Sequence, residues 1–183
     1  YCSEFGIGPG IELSIFHSVS AFCNAGFDLM GINSPYSSLI SYSSDPLICI
    51  TLMILIVIGG LGFLVWDDII NHKADFKMYS LHSKLVFATN FVLFVGAALL
   101  FMIFEDKNLF EGAPIWEKVL KGFFMSVTPR NAGFATLDYA EISQGSEMLT
   151  DLLMFIGAGS ASTGGGIKVT TVAVLFVFTV AAA

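Results

Sequence analysis

The 183-residue chain is 55% hydrophobic and only 13% charged, with a mean hydropathy of +0.79. A soluble domain carries about 25% charge to keep its surface wet, so this composition argues against a water-soluble fold. The net charge of −7 provides no basic face for nucleic acid, and Cys2, Cys23 and Cys49 show neither CxxC spacing nor a metal-ligand histidine pattern, which leaves free thiols as the default.

In chain order, a short apolar segment over Ile11–Phe22 comes first, preceded by Pro9-Gly10, a reasonable helix start. About twelve residues rise roughly 18 Å as helix, too little to cross a bilayer, so the segment predicts a core or re-entrant helix. Pro46–Trp66 carries no charge and is stopped by Asp67-Asp68, which predicts a transmembrane helix. Leu85–Phe104 predicts a second, bounded by Lys84 and Glu105-Asp106, with Thr89 and Asn90 as polar exceptions that a neighbouring helix can satisfy. Trp116–Val127, after Ala113-Pro114, is a second short segment. After Asp151 a third apolar run begins at Leu152–Ile156 and resumes at Ile167 and Val169–Val180, with Lys168 at the restart. Between them lie Gly157, Ala158, Gly159, Ser160, Ala161, Ser162, Thr163, Gly164, Gly165 and Gly166. Each glycine costs a helix about 1 kcal/mol relative to Ala, so a discontinuous membrane helix is expected. Irregular backbone at membrane depth is tolerated only where it is buried in protein or lines a cavity.

The tetrapeptide Asn24-Ala25-Gly26-Phe27 recurs as Asn131-Ala132-Gly133-Phe134. Its setting recurs too: a short apolar segment before, a polar stretch after, then a long apolar run ending in glycines (Gly59-Gly60-Leu61-Gly62-Phe63 in the first case). Two predicted crossings separate the tetrapeptides, so both lie on one face and the repeats are parallel, unlike the inverted repeats of many transporters. Alone, either tetrapeptide reads more readily as a turn before a loop. Duplicated in parallel, two re-entrant helices each ending in a glycine turn suggest an ion filter, in which backbone carbonyls replace the hydration shell and glycine adopts the unusual dihedrals.

His17-Ser-Val-Ser-Ala-Phe-Cys-Asn-Ala-Gly-Phe27, Thr128-Pro-Arg-Asn-Ala-Gly-Phe134 and Phe155–Lys168 resemble the membrane subunits of the Ktr/Trk/HKT potassium transporter superfamily, closest to the Ktr (KtrB-like) type, over essentially the whole chain. The resemblance implies an all-α integral membrane fold of parallel membrane helix–pore helix–membrane helix repeats, four around one pore. Residues 1–66 then form the second repeat without its first membrane helix (pore helix, filter, second membrane helix), 67–84 a cytoplasmic loop and 85–183 nearly all of the third repeat, whose second membrane helix is broken. It further implies potassium translocation across the cell membrane by a multi-pass protein: Asn24–Phe27 and Asn131–Phe134 are two of four filter strands holding potassium by backbone carbonyls, and Gly157–Gly166 is an intramembrane gating loop. No organic cofactor is implied. The implied partners are the lipid bilayer, a second full-length copy in a homodimer, and a cytosolic nucleotide-binding (RCK-type, KtrA-like) regulatory subunit. Because the chain opens on Tyr1 and stops inside an apolar run, it reads as a piece of a longer protein.

With the tetrapeptides outside, the short loop holding Lys73, Lys77 and Lys84 falls inside, as the positive-inside rule asks, although Lys107, Lys118, Lys121 and Arg130 fall outside. The acidic outer face would concentrate cations, with Asp28, directly after the first tetrapeptide, as the candidate at the mouth and a solvated loop carboxylate as the alternative. Lys168 reads as the cytoplasmic exit of its helix. An enzyme is the rival reading. The glycine run lacks the Gly-Lys-Ser/Thr order of a phosphate loop. An intramembrane serine protease at Ser160 or Ser162 needs an activating histidine, whereas His17, His72 and His82 read as structural.

Overall fold

Proline, glycine and side-chain caps set the boundaries in the computed structural model, which describes residues 1–32, 35, 37–73 and 75–182; Ala74 and Ala183, inside two of the predicted segments, lie outside these. A single turn, α1 (Cys2–Phe5), leads into α2 (Ile7–Phe22). Helix α2 starts before the predicted Ile11 because Pro9 falls in its first turn, where N–H groups have no intrahelical acceptor and a missing one costs nothing. Helix α3 (Pro46–Leu61) has Pro46 in its first turn and the Asp45 carboxylate accepting from the N–H groups of Leu47 (2.9 Å) and Ile48 (3.3 Å).

Here the structure divides the predicted Pro46–Trp66 helix into two that together are long and apolar enough for one span. Helix α3 stops at Leu61, and α4 (Phe63–His72) leaves it at 96°. Sixteen residues rise about 24 Å, less than the roughly 30 Å hydrocarbon core. The bend sits at Gly62, whose φ of +95° suits glycine and where a Cβ would collide with the Ser160 carbonyl. The Phe63 N–H donates to Ala161 O at 2.8 Å and the Trp66 indole N–H to Ile58 O at 3.2 Å. A charge-free run was legible; the docking of a distant segment into its end was not. The predicted 67–84 loop likewise begins within α4. Asp68 there accepts from Ser80 N–H and the hydroxyls of Ser80 and Ser83, which hold its carboxyl below the usual range and tie α4 to the next helix.

That helix, α5 (Leu81–Glu105), contains the predicted Leu85–Phe104 crossing. Among the described residues it is the one helix long and apolar enough to span a membrane unaided. Its last residue, Glu105, is fully buried and accepts from the Ser143 N–H (2.9 Å), the Ser143 hydroxyl (2.7 Å) and the Asn108 amide (2.8 Å). The short helix α6 (Ile115–Val127) follows, then α7 (Gln144–Phe155), capped by the Ser143 hydroxyl, and α8 (Val169–Ala182). The predicted discontinuity lies where the glycines are, and an isolated bridge between Ile156 and Ile167 closes its neck.

The main core joins α2, α3 and α6 through Ala21, Leu52, Ile56, Phe124 and Val127, and includes Ala132 and Phe134 of the second tetrapeptide. A second cluster (Phe101, Phe110, Met125, Leu153) joins α5, α6 and α7. Helix α8 instead exposes five consecutive apolar side chains, Val174–Phe178. A helix apolar on all faces belongs in lipid or against further protein.

Candidate functional site

Each short helix unwinds into its tetrapeptide by the same device. At the end of α2 the N–H groups of Cys23, Asn24 and Ala25 fold back onto Val19 O, Ala21 O and Ser20 O, Asn24 takes φ +52°, and Gly26 takes φ +72°. At the end of α6 a 3-10 turn, Thr128–Arg130, intervenes; then the N–H groups of Ala132 and Gly133 both donate to Thr128 O, with Asn131 at φ +134° and Gly133 at +79°. Asparagine is among the few residues that tolerate positive φ, and glycine adopts it freely. A hydroxyl from the preceding helix fixes each far end: Ser20 Oγ donates to Phe27 O at 2.7 Å and Thr128 Oγ1 to Phe134 O at 2.6 Å.

The two turns meet at their glycines. A Cβ on Gly26 would overlap the Ala132 carbonyl, while one on Gly133 would rest 3.6 Å from Gly26 Cα. The segment after the first turn straps across the second, with Leu39 N–H donating to Ala135 O at 2.9 Å and Ala135 N–H to Ser38 Oγ at 3.2 Å. Phe134 is buried and Phe27 is 69% exposed, so the turns share positive φ at their Asn and Gly positions and differ in surroundings.

The glycine-rich break runs directly beneath both asparagines. Asn24 Nδ2 donates to Thr163 Oγ1 at 2.8 Å, and Asn131 Nδ2 lies 3.5 Å from Gly165 O. The break folds on itself through Gly157 N–H to Ile167 O (2.9 Å) and onto the end of α3 through Gly159 N–H to Gly60 O (2.8 Å). Lys168, directly before α8, donates its ammonium to Gly164 O at 2.8 Å.

Arg130, directly before the second tetrapeptide, is buried, and all of its hydrogen-bond partners here are neutral oxygens. Its guanidinium donates to Asn90 Oδ1 (2.6 Å), Gly157 O (2.8 Å) and Ile156 O (3.4 Å), and sits 4.8 Å from the centre of the Phe94 ring. Charge-assisted bonds and a cation–π contact offset the desolvation of the ion. Asn90, the polar exception noted in the α5 run, finds its partner here. The sequence reading did not assign this anchor, nor Ser20 and Thr128; a lone arginine ahead of a membrane-depth turn, opposite a lone asparagine in an apolar helix, was the available signal.

Other candidates make local contacts. Asp28 Oδ1 accepts from Met30 N–H at 3.0 Å, a turn-forming contact. His17 is buried, with Nδ1 at 2.7 Å from Leu13 O and Nε2 accepting from Leu29 N–H at 3.4 Å, so both ring nitrogens serve structure. Ser162 donates to Gly159 O and Ser160 pairs with Thr170 Oγ1, which lends the serine-protease reading nothing.

Comparison with known proteins places this geometry. The family described as TrkH, cation transport protein, matches residues 5–182. The chain is 42% identical over 178 residues to the potassium/sodium uptake protein NtpJ of Enterococcus hirae, covering 97% of this chain and 38% of that protein. It is 40% identical over 180 residues to the Ktr system potassium uptake protein B of Bacillus subtilis, covering 97% and 39%. It therefore spans less than two-fifths of the length of these relatives. A crystal structure of the potassium transporter TrkH from Vibrio parahaemolyticus shares the fold, with a TM-score of 0.70 at 20% identity over 90% of this chain and 34% of that one. A helical fold, the duplicated turns and a match along almost the full length lead to one assignment: the chain belongs to the TrkH family of cation transport proteins, and it is not an enzyme.

Proposed function

We propose that the full-length protein containing this chain moves potassium across the cell membrane, and that the chain supplies most of two of its four membrane–pore–membrane repeats, residues 1–66 (the second repeat without its first membrane helix) and 85–183. In this reading Asn24–Phe27 and Asn131–Phe134 form two strands of a carbonyl-lined filter, and Gly157–Gly166 is the gate beneath it. The observation that carries the reading is the meeting of Gly26 and Gly133 with the glycine-rich break lying against both Asn24 and Asn131. Convergent carbonyls can strip a monovalent cation of water, and a short loop across their inner end obstructs its path. Asp28, at the outer end of the first strand, adds to the acidic field that gathers cations.

The exposed apolar faces of α2 and α8 are where lipid and the other two repeats would pack, giving a multi-pass protein. A second full-length copy and a cytosolic nucleotide-binding regulator complete the assembly. The regulator biases the gate to the extent that it binds the two arrangements with different affinity. No organic cofactor is required.

Rubidium uptake tests the reading. A host lacking its own potassium uptake should accumulate rubidium when it expresses the full-length protein. One relative is named for both potassium and sodium, so sodium should be offered as competitor. Absence of rubidium uptake by folded, membrane-inserted protein would refute the proposal.

A further inference from the structure

The break between α7 and α8 is held at its two limbs by contacts of unequal strength. At the neck, Arg130 is buried and donates to the carbonyls of Ile156 and Gly157. Charge-assisted hydrogen bonds are roughly twice as strong as neutral ones. At the far limb the Lys168 ammonium bonds Gly164 O within the break itself, whereas the contacts that tie this limb to the end of α2 and to the first turn are neutral and accessible, and they converge on one side chain. Thr163 Oγ1 lies 3.1 Å from Phe22 O and 3.1 Å from Gly59 O, and receives the Asn24 amide at 2.8 Å.

Phe22 is the last residue of α2, and the last four carbonyls of a helix lack intrahelical partners. Three of these are taken by backbone N–H groups: Val19 O by Cys23, Ser20 O by Ala25 and Ala21 O by Asn24. The fourth, Phe22 O, is left to side chains, with Thr163 Oγ1 the nearer donor and Asn24 Nδ2 at 3.5 Å. A hydroxyl has one proton and two acceptor sites, so Thr163 can donate to Phe22 O or Gly59 O, one at a time, while accepting from Asn24. The approach is possible because position 59 is glycine: a Cβ there would overlap Phe22 O, so the end of α2, the backbone of α3 and the tip of the break meet at one point.

We propose that Thr163 is the positioning residue that latches the break closed, by capping the carbonyl end of α2 and binding Asn24; this rests on the reading of Gly157–Gly166 as a gate. The break then opens from the Thr163 limb while the Arg130 limb stays fixed as the hinge. Asn24 is the first residue of the first filter turn, so opening removes a side-chain tether from that turn, and this turn and the Thr163 limb are linked through one hydrogen bond. Linkage is reciprocal: whatever orders the first turn also favours the closed break.

The test uses the full-length protein reconstituted without any regulator, measuring rubidium leak into liposomes. Thr163→Val removes the hydroxyl at nearly constant volume and should raise leak roughly three- to tenfold, the factor that one ordinary net hydrogen bond represents. Thr163→Ser keeps the hydroxyl and should leak like wild type. Asn24→Gly, which preserves the positive φ, should also raise leak, and adding Thr163→Val to it should raise it little further, because both remove the same bond. Should Thr163→Val fail to fold, Thr163→Ala serves the same comparison. Deletion of Ser162–Gly164 is the control for the gate itself. Leak from the deletion but not from Thr163→Val or Thr163→Ala would overturn the latch and leave the gate standing. Leak from neither would overturn both, and independent additive effects of Asn24→Gly and Thr163→Val would reject their coupling.

Discussion

Gly26→Ala should cost the full-length protein most of its folded yield or its transport, whereas Gly133→Ala should fold and lose ion discrimination. The two glycines are equivalent in sequence and not in space. Both hold positive φ, +72° and +79°, where an alanine costs about 1 to 2 kcal/mol. At Gly133 little else stands in the way, since a Cβ would rest in ordinary contact 3.6 Å from Gly26 Cα. At Gly26 the Cβ would overlap the Ala132 carbonyl, a backbone atom that cannot rotate aside, and overpacking of that kind adds about 1 to 3 kcal/mol. The sum at Gly26, about 2 to 5 kcal/mol, is a large part of a typical stability of 5–15 kcal/mol. Monodisperse yield and thermal midpoint separate the two variants, and rubidium uptake against sodium reads discrimination in whichever folds. Equal behaviour of the two variants, or unchanged discrimination in Gly133→Ala, would contradict this account of the turns.

Deleting Ser162–Gly164 should raise regulator-free flux at least about tenfold, because a gated state populated at 0.1–10% becomes permanently open. The segment removed is chosen from the contacts. Ser160 and Ala161 stay in place against Gly62 and Phe63, and the Gly157–Ile167 neck bond and the Arg130 anchor on Ile156 and Gly157 are spared, so the bend and the hinge survive. What goes is the limb bearing Thr163, which touches Asn24, Phe22 and Gly59. A static packing turn predicts instead that the shortened protein is lost during folding. Folded protein with unchanged flux would sink the gate.

Much of this was legible in the residues. The duplicated Asn-Ala-Gly-Phe marked both turns, and five glycines in ten residues marked the break, because helices and glycine runs are incompatible on local grounds. The Leu85–Phe104 run marked α5 for the same reason, being local in its physics. The 96° bend at Gly62 was not legible: Pro46–Trp66 is continuous in hydropathy, and its interruption is caused by residues 160 and 161, about a hundred positions away. Nor was the asymmetry of Gly26 and Gly133, which follows from which turn presents its carbonyl to the other. Asn90 and Arg130 were visible only as exceptions, one polar residue in an apolar run and one arginine beside a turn; pairing them needed the fold. Thr163 stood among small residues of a loop, and its contacts with Asn24 and Phe22 span 139 and 141 positions.

The central claim is that the paired turns bind the permeant ion through their backbone. Anomalous scattering from rubidium in crystals of the full-length protein tests it directly. The account predicts rubidium peaks beside the carbonyls of Asn24–Phe27 and Asn131–Phe134, outside the Gly157–Gly166 break. Rubidium confined to other parts of the protein, with these turns unoccupied while uptake is intact, would contradict it.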